Sequence, residues 1–231
     1  MIPIKDDNPT RKYSIIRIII LILCSLVFFI QISSHNNSDL IFYFGFKPNS
    51  LFNNSYQEPT FSPILTILTS MFMHGGWIHF LGNMLYLWIF ADNVEDIIGR
   101  KKFIIFYLFC GTIAAFTQFF GNINSPIPMI GASGAIAGVL GAYFYLFPKA
   151  KVLVIVPLLI FFFTIRLPAA VVLGFWFIIQ FVNFGIINSS GVAWLAHIGG
   201  FIAGLIYAFF FIKNKNIKNY KKGISIMLKK N

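Results

Sequence analysis

The sequence predicts an all-α membrane protein, a bundle of six transmembrane helices with both termini on the cytoplasmic side. Three observations carry that expectation. Of 231 residues, 58% are hydrophobic and 29 are phenylalanine, far more apolar surface than an ordinary soluble domain carries. The apolar residues fall into runs close to the roughly 20 residues that cross a hydrocarbon core. The basic residues behind the net charge of +11 crowd the ends of those runs, which points to a membrane surface and away from nucleic acid.

Residues 1–14 form a polar tail with Lys5, Arg11 and Lys12, and Ile15 to Ile32 is the first span. Its length and the lack of a small-residue cleavage pattern before Ser33 favour an uncleaved anchor over a signal peptide. Residues 33–64 form a long connection. Asn36, Asn37, Pro48, Asn53, Asn54 and Pro59 break regular structure there, while Phe42, Phe44, Phe46, Leu51 and Phe52 keep it apolar enough to lie half in the interface. Five further spans follow at about Trp77 to Asp92, Phe103 to Phe120, Ile130 to Phe147, Pro168 to Asn183 and Ala193 to Ile212. Residues 152–166 are apolar but too short to cross, and are expected to be an interfacial or buried connection. The chain thus divides into a basic tail (1–14), a six-helix membrane domain (15–212) and a second basic tail (213–231). Cys24 and Cys110 sit inside apolar runs, as small core residues do.

Lysine and arginine accumulate on the cytoplasmic side of membrane proteins. With six spans and the amino terminus inside, seventeen of the eighteen basic residues fall inside and only Lys47 lies outside. A crossing by 152–165 would strand the seven-lysine tail on the outer side. The second, fourth and sixth spans then run from outside to inside, and each carries its polar residues near its start, so these residues share one depth. Ser133 opens the fourth span within Gly131-Ala132-Ser133-Gly134. His197 lies about 6 Å below the start of the sixth, within Ala196-His197-Ile198-Gly199-Gly200.

A serine among glycines has a plain alternative role in helix packing. An ionisable residue inside a span is a functional candidate by default. Gly134, Gly138 and Gly141 on one span and Gly199, Gly200 and Gly204 on the other allow close approach. If those faces meet, Ser133 and His197 form the minimum machinery for acyl transfer, a nucleophile and the base that takes its proton. His79 and Asn83 are four apart, share a helix face and can both donate hydrogen bonds, either to a neighbouring helix or to a developing oxyanion. Asp92, Glu95 and Asp96 lie about 20 Å down the same helix. Asp39 and Glu58, on the outer connection, remain possible third members, and a Ser-His dyad is the economical reading. His74 and His79 lack the spacing of a helical zinc site, no phosphate loop is present, and no internal repeat suggests a transporter.

The ordered set of motifs resembles the rhomboid intramembrane serine proteases over about Ser70 to Leu205. It comprises His79-Phe80-Leu81-Gly82-Asn83, Glu95 followed by Gly99-Arg100, Gly131-Ala132-Ser133-Gly134, and Ala196-His197-Ile198-Gly199-Gly200-Phe201 with Gly204. The resemblance implies a six-helix core whose water-filled cavity opens to the outside, with Ser133 as nucleophile and His197 as general base and acid. It implies an oxyanion hole made by His79, Asn83 and the Ser133 backbone amide, a membrane-embedded loop over 33–64 and a cap over 184–192. The expected substrates are single-span membrane proteins within the lipid bilayer, with neither metal nor cofactor required. The expected location is a multi-pass position in the cell membrane, with the site opening to the extracytoplasmic side. Some relatives place an aromatic residue four positions after the serine, against the histidine. Here Ala137 stands there, so the orientation of His197 is expected to rest on another side chain, with Trp176 and Phe177 as candidates. The alternative is a catalytically silent rhomboid-like protein that binds transmembrane helices.

Overall fold

The computed structural model describes residues 1–51, 61–158, 161–186, 191–212, 220 and 222–225. Its helices fall on the apolar runs. They are α1 (Ile15–Ser33), α2 (Asn37–Phe44), α3 (Pro63–Thr69), α4 (Trp77–Ile98), α5 (Arg100–Gly121), α6 (Ser133–Leu146), α7 (Ala169–Ile186) and α8 (Trp194–Phe211). Helices α1, α5, α7 and α8 are long and apolar enough to cross a membrane. The α3 segment with its 3-10 turn passes the same test only jointly with α4, from which it is bent by 80°, and α6 is a shorter apolar helix. This is a mostly helical, multi-pass integral membrane protein.

Two stretches fold otherwise than the sequence suggests. The connection 33–64 contains α2, a 3-10 turn at Pro48–Leu51 and the start of α3, where Pro63 at the first helical position is pre-set for a helix. Residues 52–60, which include Asn53, Asn54, Glu58 and Pro59, lie outside the described residues. The apolar run after Lys151 is a β-hairpin, β2 (Lys151–Leu158) and β3 (Phe161–Pro168), paired from Lys151↔Pro168 to Leu158↔Phe161. Its valines, isoleucines and phenylalanines fit a pleated surface. The amino-terminal tail adds β1 (Ile2–Asp6) along β2, with Ile2 opposite Ile155 and Asp6 opposite Val152. An antiparallel sheet of order β1-β2-β3 therefore interrupts the expected all-helical architecture. Val152 and Val154 are buried in the main core, which holds the sheet against the bundle.

The tail is a docked segment. Beyond β1, Arg11 pairs with Asp96 at 3.2 Å, and Asn93 Nδ2 donates to the Asn8 carbonyl at 2.9 Å. Tyr220 donates its hydroxyl to the Pro9 carbonyl at 2.6 Å. The Glu95 carboxylate accepts from the Ile16 and Arg17 amides at 3.1 and 2.9 Å, satisfying free donors at the start of α1. Asp92 pairs with Arg17 at 3.2 Å, so Asp92, Glu95 and Asp96 all bind the amino-terminal tail or the start of α1, at the end of α4 opposite His79 and Asn83.

The centre of the molecule is α6, eleven of whose fourteen residues are buried. A Cβ on Gly200 would strike the Gly134 carbonyl, one on Gly204 the Gly138 carbonyl, and one on Gly141 the Phe201 carbonyl. The order of these pairs makes α6 and α8 parallel, backbone against backbone. Gly134 and Gly138 also face Ala114 and Cys110 of α5, in the reverse order, so α5 runs antiparallel. Gly199 departs from the expected seam and faces Thr117 of α5.

Candidate active site

Ser133 is the first residue of α6, and the chain before it is fixed by backbone bonds. Phe46 and Met129 exchange hydrogen bonds of 3.0 and 2.7 Å, and the Gly131 amide donates to the Ser70 carbonyl at 2.9 Å. The 33–64 connection and the 3-10 turn after α3 therefore hold the approach to the serine. Gly131 has φ +128°, and a Cβ there would lie 2.7 Å from His79 Nε2 and 3.4 Å from Ser133 Oγ. Only glycine suits this position in both conformation and space. The residue before α6 is Ala132, which offers no side-chain cap, so the first-turn amides keep their hydrogens for an outside acceptor.

His197 lies one turn into α8, and its Nε2 is 2.8 Å from Ser133 Oγ. The parallel glycine seam is what brings together two residues 64 apart in sequence. On the other side of the ring, Nδ1 is 2.8 Å from Gln180 Oε1 on α7. The ring also packs near Trp176 at 5.8 Å and, edge-on, near Trp194 at 6.0 Å between centroids. Of the two expected neighbours, Trp176 is beside the histidine, whereas Phe177 stacks on Phe201 at 4.6 Å. The start of α8 is further held by Gln118 of α5, whose Oε1 accepts from the Ala196 amide at 3.3 Å.

His79 and Asn83 line the same cavity as Ser133 and His197. His79 Nδ1 accepts a 3.3 Å hydrogen bond from the Gly75 amide. A neutral ring in that arrangement carries its proton on Nε2, the atom beside Gly131. The Asn83 amide nitrogen is buried with no partner among the described residues. A donor left in this state costs about 1–3 kcal/mol, which a bound acceptor would offset. The cavity holds about 1160 Å³, and Trp176 and Gln180 complete its wall.

The structure thus gathers Ser133, His197, His79 and Asn83 at one end of the bundle. Asp39 is exposed on α2, Glu58 lies outside the described residues, and the Nδ1 partner is the Gln180 amide oxygen. The cap expected over 184–192 falls partly on residues 187–190, also outside the described residues. Gln180 was missed by sequence reasoning, although a polar amide in the middle of an 18-residue apolar helix is a signal in itself.

The Rhomboid domain family model matches residues 62–214. Among curated proteins, the chain is 29% identical over 160 residues to Rhomboid protein 1, mitochondrial, of Saccharomyces cerevisiae, covering 64% of this chain and 42% of that protein. It is 32% identical over 142 residues to Rhomboid protease GluP of Bacillus subtilis, covering 61% of this chain and 25% of that one. With Presenilin-associated rhomboid-like protein, mitochondrial, of Homo sapiens it shares 34% identity over 91 residues, 38% of this chain and 24% of the relative. The match spans less than half the length of each of these relatives.

Proposed function

The chain belongs to the rhomboid family, and from that premise we propose that it is an intramembrane serine endopeptidase acting through a Ser133-His197 dyad. The single observation that carries this reading is the 2.8 Å contact between Ser133 Oγ and His197 Nε2 inside a cavity that also holds an amide donor without a partner among the described residues. His197 takes the proton as Ser133 Oγ attacks a peptide carbonyl. The charge that develops on the carbonyl oxygen is met by the Asn83 Nδ2 donor, the Nε2 hydrogen of His79 and the Ser133 amide at the start of α6. Donors fixed in advance around such an oxygen often supply the largest catalytic contribution. His197 then returns the proton to the leaving amine, and the acyl-enzyme is released by water using the same pair.

In this reading the chain crosses the bilayer six times, with both ends cytoplasmic and the cavity opening to the extracytoplasmic side. The distribution of basic residues supports that topology. Its substrates are single-span membrane proteins, cut where small or helix-breaking residues let a peptide bond leave its helix, because intact helical hydrogen bonds shield the carbonyls.

The test is cleavage of a model single-span substrate by the purified protein reconstituted in lipid vesicles. Ser133→Ala and His197→Ala are each expected to abolish cleavage with thermal melting unchanged. Wild-type activity in either variant overturns the reading, and binding of the substrate by an inert wild-type protein would favour a helix-binding role instead.

A further inference from the structure

We infer that Gln180 is a positioning residue that selects the reactive tautomer of His197, an inference that rests on the protease reading above. Gln180 is 4% exposed, and its side-chain amide is bonded at both ends. Its nitrogen donates 2.9 Å back along α7 to the Trp176 carbonyl oxygen. That oxygen can only accept, so the amide nitrogen must be the end that faces it, and the amide oxygen must be the end 2.8 Å from His197 Nδ1. An amide oxygen has no proton to give, so Nδ1 is the donor. A neutral imidazole carries one N–H. With that hydrogen on Nδ1, the lone pair is on Nε2, the atom 2.8 Å from Ser133 Oγ. A backbone carbonyl of α7 thereby fixes, through three hydrogen bonds in series, the direction in which the serine proton moves.

The same bond serves the charged stage of the reaction. When Nε2 takes the serine proton, the ring becomes a cation, and its Nδ1–H bond to Gln180 strengthens because the donor is now charged. A carboxylate would stabilise that cation more, but it would place a bare anion inside the membrane domain during the resting state, where burial of charge is costly. The neutral amide settles the tautomer without that penalty. The groups facing the ring are Ser133 from α6, His79 from α4, which feels its charge, Trp176 with Gln180 from α7, and Trp194 from α8 itself. Gln118 of α5 is bonded to the backbone beside it.

The experiment compares wild type, Ser133→Ala, Gln180→Leu and Gln180→Glu in the vesicle cleavage assay, with kcat, KM, melting temperature and the pH dependence of kcat recorded for each. Gln180→Leu keeps the shape and removes the acceptor. It is expected to lower kcat about tenfold to a hundredfold, less than the ~10⁴-fold seen where an orienting carboxylate is replaced and the tautomer is wrong, with KM and melting unchanged. Gln180→Glu restores an acceptor to Nδ1. It is expected to return kcat to within a few-fold of wild type and to move the acid limb of the pH profile upward, because a charge beside the ring favours its cation. An active wild type, an inactive Ser133→Ala and an unchanged Gln180→Leu overturn the inference while leaving the protease reading intact. A Gln180→Leu enzyme that melts early and is not rescued by Gln180→Glu marks the residue as structural and overturns it too. A wild type that does not cleave sinks the protease reading and this inference with it.

Discussion

Helix α8 packs against α5, α6 and α7, and the last two are unlike. Against α6 it packs backbone on backbone, with Gly200 and Gly204 lying on the carbonyls of Gly134 and Gly138. Against α7 its contacts include Phe177 on Phe201, Trp176 beside His197 and the Gln180 hydrogen bond, all between side chains. The burial differs in the same sense. Eleven of fourteen α6 residues are buried but only four of eighteen in α7, where Val171, Phe175, Ile178, Phe181 and Val182 are exposed. The α6–α8 seam therefore sets the distance between Ser133 and His197, while α7 supplies the groups that pack against and hydrogen-bond the other side of the His197 ring. The first is a property of the fold and the second of a few side chains, so mutations on the two sides should fail in different ways.

The largest effect is expected at the seam. Gly204→Val places two methyl groups where no Cβ fits, and should cost about 3 kcal/mol or more. It would be read as loss of folded protein and of activity together. A variant that folds and cleaves normally would show that the seam does not fix the geometry. Next comes the cavity wall. Asn83→Ala should lower kcat about 10²- to 10³-fold with melting nearly unchanged, the range found on deletion of one oxyanion donor. Gly131→Ala should be similarly inactive, because it strains a φ of +128° and crowds both His79 and Ser133. On the α7 side, Phe177→Leu should lower stability by about 1 kcal/mol, the worth of a stacked aromatic pair, and leave kcat within a few-fold. A large loss of activity there would erase the contrast between the two sides.

How much of this was legible in the sequence follows the same division. Glycines at spacings of three and four on two spans announce a helix contact, and the seam is where they predict it, because close approach requires the missing Cβ. Gly199 was misassigned since it is adjacent to Gly200, and consecutive helical residues point about 100° apart, which sends it to Thr117 of α5. The sequence offers carboxylates as third members and Trp176 and Phe177 as neighbours of His197, and nothing in its pattern ties Gln180, one turn beyond Trp176 in the same apolar segment, to that histidine. The hairpin was hidden for a different reason. A short apolar run between two spans has no intrinsic period that separates strand from buried coil, and its pairing with Ile2–Asp6 joins segments about 150 residues apart in the chain.

The docked amino-terminal strand gives the smallest predicted effect. Tyr143, near the far end of α6, donates its hydroxyl to Asp6, and burial pushes the Asp6 carboxyl up to about 7. The docked state thus prefers the neutral acid. Its stabilisation is complete below the ordinary aspartate value of about 4 and is lost as pH rises from there through about 7. Hydrogen exchange over residues 2–6 should therefore be slower at pH 5 than at pH 8 after correction for intrinsic rates, and Asp6→Asn should flatten the difference. Equal protection at both pH values in wild type would place the carboxyl outside the cost of burial.

The central claim is that the seam makes Ser133 a nucleophile by holding His197 against it. Covalent labelling of Ser133 by a fluorophosphonate probe tests this most directly. The account predicts labelling of the wild type, none of Ser133→Ala, and loss of labelling in His197→Ala at unchanged melting temperature. Labelling of Ser133 that persists at the wild-type rate without His197 would contradict it.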